Sequence, residues 1–397
     1  MSTHSSSLKK RAIAAIDAES ARLIEMSDTL HANPELSFQE YKSASMLSDA
    51  LQSRGFTVQR GVGTLETAFR AEARGHADSP TVALCAEYDA LPELGHACGH
   101  NIIGTAAVGA AIGIEAVLDE IAGRVVVVGT PAEEGGGGKV ILLANGVFKD
   151  VDAAMMIHPA SWTMVSRGSL ASFRLNIEFA GRASHAASSP EAGINALEAV
   201  ILTFNNINAL RLHLRADARV HGIITNGGAA ANIIPDYASA AFSVRAASQD
   251  YANEILPRVI ACAEAAATAT GAKLTHTVAT GYAAMKPNMT MARLFAANWR
   301  SIGVEVHEPR PNERMGSTDF GNISQALPGI HPYIAIAPDG TPGHSVEFRA
   351  ASASPAGRHG LLVAAKALAM TTIELLNEPD LLRQAKEEFA AIPGKAK

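Results

Sequence analysis

The pattern of the chain changes twice, and that change constrains the fold more than any other feature of the sequence. Up to about residue 168, short apolar strands alternate with helical stretches. Val125-Val126-Val127-Val128 is apolar at every position, as a strand covered on both faces must be. Thr81–Ala86 and Ala153–Ile157 read as further strands, and the Ala/Gly-rich run Ala106–Leu118 as a buried helix. Residues 8–31 read as one helix, and Tyr41–Arg54 as another that stops at Gly55. From residue 169 to 283 the order becomes strand, helix, strand, strand, helix, strand, which is the ferredoxin-like split pattern. After residue 284 the first pattern resumes. The expectation is an α/β domain built from residues 1–168 and 284–397 around a mixed, largely parallel sheet flanked by helices. A small α+β domain at 169–283 interrupts it.

Composition narrows the function. Of 397 residues, 18% are charged and the formal net charge is -6, so a nucleic-acid partner is not expected. Aromatic residues make up only 5%, too few for base-stacking platforms. The longest strongly apolar run is placed near Arg124–Gly129, too short to cross a bilayer, so no membrane partner is expected. Three cysteines, Cys85, Cys98 and Cys262, fit a reducing compartment better than a disulfide framework. With no signal-peptide pattern at the start, the expected location is cytoplasmic.

Four separated segments hold metal-type ligands at predicted strand ends or in glycine-rich loops, where α/β folds place their sites. They are Glu87-Tyr88-Asp89 with His96-Ala97-Cys98-Gly99-His100, Glu133-Glu134 before four glycines, His158 in Ile157-His158-Pro159, and His344 in Gly343-His344-Ser345. Each has an ordinary explanation when taken alone: a turn with a buried thiol, a solvated helix start, a core histidine, a loop histidine. Their joint occurrence favours a metal site, and thiolate, imidazole and carboxylate together suit zinc, with manganese or cobalt as alternatives. Two adjacent carboxylates are costly without a nearby cation. A division of labour resolves this, one carboxylate ligating metal and the other taking a proton from metal-activated water. The glycine run is not a phosphate loop: Val140 follows Lys139 where Ser or Thr is required, and Glu133 stands at the position of the first glycine.

Over essentially its whole length, from His31-Ala32-Asn33-Pro34-Glu35 to His344, the ordered set resembles the dinuclear-metal peptidase family of aminoacylases and glutamate carboxypeptidases. Within that family it is similar to the amidohydrolase branch. The resemblance implies that Cys98, His100, Glu134, His158 and His344 ligate two divalent metal ions, zinc foremost. It implies Glu133 as general base and Asp89 as the acid supporting the metal centre. It makes the inserted domain a lid that also forms a homodimer. There His185, in Gly181-Arg182-Ala183-Ser184-His185, would stabilise the oxyanion in the partner's site, and Asn232 and Arg245 would contact substrate. Glu87-Tyr88 and Asn101 depart from the branch's commonest form, and so does Ser345-Val346 after His344. They are similar to the subgroup of aminobenzoyl-glutamate hydrolase and a β-alanyl-lysine-type dipeptidase. The implied reaction is hydrolysis of an amide in a small N-acyl amino acid, aminobenzoyl-glutamate-like conjugate or dipeptide. Two other readings stand beside it. One is a cysteine hydrolase with Cys98 as nucleophile, and the other a non-catalytic, metal-stabilised binding protein.

Overall fold

A computed structural model describes residues 3–310, 313 and 315–391 of the chain. They form two compact units. The first comprises the chain up to Gly168, Met285–Met315 and the part from Asn322 onward; the second comprises Ser169–Ala284 and Gly316–Gly321. Ala284 and Gly316–Gly321 thus join the second unit, where the Leu170 N–H donates to the Gly316 carbonyl at 2.8 Å.

The first unit is built on a six-stranded sheet in the order Thr57–Arg60, Phe69–Arg74, Arg124–Gly129, Thr81–Ala86, Ala153–Met155, Gly329–Ile330. The first two pairings are antiparallel and the remaining three parallel. Every residue of Thr81–Ala86 is buried, as are Val125–Val128, which is why these strands read as unbroken apolar runs. A shorter parallel pair, His158–Ala160 with Tyr333–Ala335, continues two of these chains past the sheet.

Helices cover the sheet, and three differ from their sequence reading. Residues 8–31 form two helices, Thr3–Ala18 and Ser20–Ala32, because Glu19 leaves helical geometry at φ -95° and ψ 4°. The buried helix starts at His100 rather than Ala106 and ends at Glu115, so polar His100 and Asn101 form its first turn. Pro355–Asn377 is long and apolar enough, by length and composition, to cross a membrane, which the sequence reading judged of no segment. In this fold it is a core helix, buried along most of its length against His100–Glu115.

The carboxylate of Glu374 lies inside that apolar helix. Lys9 Nζ meets its Oε1 at 2.5 Å, Asn298 Nδ2 donates to Oε2 at 2.7 Å, and Glu374 is fully buried. Lys9 also donates to Asn298 Oδ1 at 3.1 Å, so the three side chains join three helices.

The second unit is a four-stranded antiparallel sheet, ordered Lys273–Tyr282, Ala171–Ala180, Tyr237–Ala246, Arg219–Asn226. Helices Ala196–Arg211 and Gln249–Thr270 pack on it around Leu175, Ile177, Phe179, Phe242, Ile255 and Val259. Chain order and sheet order together make this unit ferredoxin-like. Each helix begins at a side-chain cap, Asn195 accepting from the Leu197 and Glu198 amides and Ser248 from Tyr251.

Replacing Lys9 by Met removes the cation and leaves the Glu374 carboxylate desolvated. The expected cost is about 3–5 kcal/mol of unfolding free energy. Chemical denaturation of Lys9→Met against the wild-type chain measures it, and an unchanged midpoint would show that Lys9 does not support Glu374.

Candidate metal centre

The site grows from the carboxyl ends of the parallel strands. Thr81–Ala86 runs directly into Glu87-Tyr88-Asp89, all buried. Arg124–Gly129 runs into Thr130, whose N–H donates to the Ala86 carbonyl at 2.7 Å and keeps the two strand ends side by side. The chain then turns through Ala132, whose carbonyl accepts the Gly136 and Gly137 amides at 3.0 and 2.8 Å. A Cβ at Gly138 would lie 1.8 Å from the Pro131 carbonyl oxygen, so only glycine closes this loop into helix Gly138–Ala144. Between Cys98 and His100, Gly99 has φ +79°, and a Cβ there would lie 2.6 Å from Pro159 Cγ. The Cys98-Gly99-His100 turn therefore lies against the strand that carries His158. His344 arrives on a loop, its N–H donating to the Ala97 carbonyl at 3.1 Å.

These segments bring Cys98, His100, Glu133, Glu134, His158 and His344 together. Ligand-type atoms of Cys98, His100 and His158 lie within 4.8 Å of one another, as do those of Cys98, Glu134 and His344, and those of His100, Glu133 and Glu134. The sets share Cys98, His100 and Glu134, so the six residues form one connected cluster. The His158 and His100 rings meet edge-on, 6.0 Å between centroids.

Both imidazoles have their tautomer set by the fold. His100 Nδ1 donates to Asp89 Oδ1 at 3.0 Å, and His158 Nδ1 to the Pro159 carbonyl at 2.6 Å. Nε2 is thus the ring atom left to ligate in each histidine; at His100, whose carboxylate neighbours favour the protonated ring, a metal would take the place of the Nε2 proton. His100 Nε2, Glu134 Oε1 and Glu87 Oε2 are buried and carry no hydrogen bond, although His100 Nε2 lies 3.4 Å from Glu87 Oε2 and 3.9 Å from Glu134 Oε1. Buried polar atoms without hydrogen bonds, converging from an acid and an imidazole, fit a cation between them.

The electrostatics agree. Burial pushes the His158 imidazole down to about 3, and the charge of His100 adds to the effect, so His158 is neutral and able to ligate. Burial disfavours charge on His100 too, but Asp89 and Glu87 outweigh it and hold that group well above the usual histidine range. Burial pushes the Cys98 thiol up, with the charge of Glu134 in the same direction. A thiol in that setting becomes a thiolate only when a metal takes the place of its proton.

Asp89 sits beneath the cluster. Besides His100 it accepts the Glu134 N–H at 2.9 Å and the Ser37 hydroxyl at 3.2 Å, both on Oδ2. His100 and these donors keep its carboxyl below the usual range in spite of its burial.

The second unit holds the other residues singled out by sequence. His185 and Asn232 are neighbours there. The strands Ser184–His185 and Ile233–Ile234 pair with Ile233 opposite His185, and the Ala186 N–H donates to the Asn232 carbonyl at 3.0 Å. Both side chains are exposed. His185 Nδ1 accepts the Ala187 and Ser188 amides at 3.2 Å each, so its neutral ring carries the proton on Nε2, ready to donate. Arg245 stands apart from this pair within the unit, opposite Ser172, with its Nε donating to Ser243 Oγ at 3.1 Å.

Some residues at the centre were not picked out by sequence reasoning. Lys139 Nζ meets Glu87 Oε1 at 2.5 Å with both side chains fully buried. The signal was present, an acid before Tyr88-Asp89 and a lysine after the glycine run, but nothing in the sequence pairs them. His331 stacks on His158 with ring centroids 5.4 Å apart, and Tyr333 lies 5.7 Å from the same ring beneath the Arg167 guanidinium. The signal there is a second Ile-His-Pro, Ile330-His331-Pro332, echoing Ile157-His158-Pro159.

Comparison with known proteins gives a consistent result. Residues 73–356 match the profile of peptidase family M20/M25/M40. The chain is 38% identical to the Xaa-Arg dipeptidase of Mus musculus, over 96% of this chain and 92% of that protein. It is 32% identical to a p-aminobenzoyl-glutamate hydrolase component of Escherichia coli (strain K12), over 95% of this chain and 94% of that protein. Among solved structures, a dinuclear metal binding peptidase from Bacillus subtilis superposes with a TM-score of 0.72 at 23% identity, covering 91% of this chain and 99% of that one. At that identity the likeness is one of fold.

Gly99 offers a direct test of the geometry. An alanine there forces a left-handed backbone at a cost of about 1–2 kcal/mol, before any contact with Pro159. Gly99→Ala is expected to lower the melting temperature and to reduce metal bound per chain, read by elemental analysis after equilibration with zinc. A variant matching wild type in both would show that the turn does not set the ligands.

Proposed function

This chain belongs to peptidase family M20/M25/M40 and is a metallo-hydrolase, and from that premise we propose that it cleaves the amide bond of a dipeptide or a closely similar small conjugate. The observation that carries the proposal is the convergence of Cys98, His100, Glu134, His158 and His344 beside Glu133. In this reading the first five hold a pair of divalent ions, zinc foremost. The ions, when bound, polarise the substrate carbonyl and acidify a water.

The chain's own residues do the rest. Glu133 takes the proton of the attacking water and returns it to the leaving amine. Its neighbour Glu134 is committed to the ligand set, 3.5 Å from His344 Nε2 through Oε2. Asp89 keeps the proton of His100 on Nδ1 and, through the Glu134 amide, holds the carboxylate loop. The cysteine-hydrolase alternative loses support here, because burial and Glu134 both oppose the thiolate that a Cys98 nucleophile would need. His185 is read as the donor to the developing oxyanion, supplied by a second copy of the chain, with Asn232 and Arg245 contacting substrate. The Nε2 proton of His185 supports that role.

The mouse relative's name favours substrates ending in arginine, and the bacterial relative's favours an acidic conjugate. A panel of Xaa-Arg dipeptides, β-alanyl-lysine, p-aminobenzoyl-glutamate and N-acetyl amino acids separates them. Turnover is expected on the basic dipeptides, lost on chelation and restored by zinc, manganese or cobalt. Glu133→Gln should lower kcat by roughly 10²–10⁴ with metal still bound. Chelator-resistant turnover, or a fully active Glu133→Gln, would sink the mechanism. Mixing inactive Glu133→Gln with inactive His185→Ala should recover activity if His185 serves a partner's site; a mixture that stays inactive would remove that role.

A further inference from the structure

Glu40 begins the helix Tyr41–Gln52, yet its side chain makes no cap to it. Glu35 does that work, accepting the Lys42 and Ser43 amides at 3.1 and 2.8 Å. The Glu40 carboxyl turns inward instead and is fully buried. Its Oε2 accepts the Thr67 hydroxyl at 2.8 Å. Its Oε1 accepts two backbone amides, those of Phe38 and Ala132, each at 2.9 Å.

Those two residues have something in common. Phe38 has φ +65° and Ala132 has φ +61°, and neither is glycine. Side-chain-bearing residues stay in the left-handed region only where their surroundings over-determine it. One carboxyl oxygen therefore holds the N–H of both strained residues. Their side chains also meet across Gly136, where a Cβ would lie 2.2 Å from the Phe38 ring and 2.9 Å from the Ala132 Cβ. Ala132 immediately precedes Glu133.

We propose that Glu40 is a positioning residue for the reaction: by holding the Ala132 N–H it fixes the backbone from which Glu133 and Glu134 project. The proposal rests on the reading of Glu133 as the base. Glu40 acts here by reach and shape rather than by charge. Burial above all pushes its carboxyl up to about 7, with the charge of Asp89 adding to the effect, and a carboxyl oxygen accepts an amide N–H in either protonation state.

Two substitutions separate reach from charge. Glu40→Gln keeps the length and the acceptor oxygen and removes the charge; its kcat should stay within about threefold of wild type. Glu40→Asp keeps the charge and withdraws the oxygens by roughly one bond length. Its kcat should fall by about tenfold to a hundredfold, as for a base displaced by about 1 Å. KM should stay within about threefold, and bound metal should be unchanged. Replacing Ala132 by Gly should shrink the Glu40→Asp defect, because glycine takes a positive φ unaided. Hydrogen exchange at the Ala132 amide gives a readout independent of catalysis: faster in Glu40→Asp, unchanged in Glu40→Gln.

The opposite ranking, with Gln damaging and Asp harmless, would overturn the proposal, as would unaltered Ala132 exchange in Glu40→Asp. Loss of metal in step with kcat would reduce Glu40 to a purely structural part. Should Glu40→Asp not fold, the isosteric Glu40→Gln decides alone: retained kcat and unchanged Ala132 exchange support the proposal, and loss of either overturns it. If Glu133→Gln keeps its turnover, the base assignment fails, while the exchange data still report whether Glu40 holds the loop.

Discussion

The rest of the metal centre depends on one buried carboxylate, Asp89. Three segments far apart in sequence end on it: the His100 ring, the Glu134 amide and the Ser37 hydroxyl. Burial alone would favour the neutral acid, which would have to donate where it now accepts. His100 and the surrounding donors keep it ionised, so both oxygens serve as acceptors. One oxygen holds the proton on His100 Nδ1 and so turns Nε2 toward Glu134. The other holds the carboxylate loop next to that same nitrogen. One carboxylate thus fixes both the His100 ring and the backbone of the Glu133-Glu134 loop.

Charge in this pocket is balanced in two ways. Glu87 is matched within the chain by Lys139. Lys139 lies in the first turn of helix Gly138–Ala144, where the helix dipole disfavours a cation, and it is fully buried. Glu87 compensates on both counts. Among the described residues, no lysine or arginine is paired in this way with Glu134, whose carboxylate instead lies 3.9 Å from His100 Nε2 and 3.5 Å from His344 Nε2. Lys139 engages Oε1 of Glu87, while Glu87 Oε2 is left facing His100 Nε2, on the same side as Glu134 Oε1.

Much of this was legible in the sequence, and what was missed has physical reasons. Val125–Val128 could be read because a strand buried on both faces allows no polar residue, and the ferredoxin-like unit because its strands alternate cleanly. That Cys98, His100, Glu133, Glu134, His158 and His344 would cluster was legible because their segments were expected at strand ends or in glycine-rich loops, where α/β folds gather side chains. The start of helix His100–Glu115 was misplaced because its first turn is given over to site residues, which break the apolar pattern. Glu40 was invisible for a different reason. In Phe38-Gln39-Glu40-Tyr41 an acid before a helix reads as a solvated start, and only tertiary contacts with Thr67 and Ala132 bury it. Pairings such as Glu87 with Lys139 or Lys9 with Glu374 carry no local signal, because partners 52 and 365 residues apart meet only once the sheet and helices have assembled.

Three loops that carry site residues also carry backbone in the left-handed region. Gly99 separates Cys98 from His100, Ala132 precedes Glu133, Gly137 closes the carboxylate loop, and His344 itself has φ +57°. Such geometry is unfavourable for a free chain and persists only where the surroundings fix it. Here the surroundings are strand ends rooted in a fully buried sheet, short amide-to-carbonyl bonds, and carboxylates at Asp89 and Glu40 that collect N–H groups from several segments. The strain is therefore spread over short loops and opposed by a rigid base. The spacing of the clustered side chains is then a property of the backbone. A pocket held in this way has little further ordering to do when a ligand enters, which is the condition for binding energy not to be consumed in assembling it.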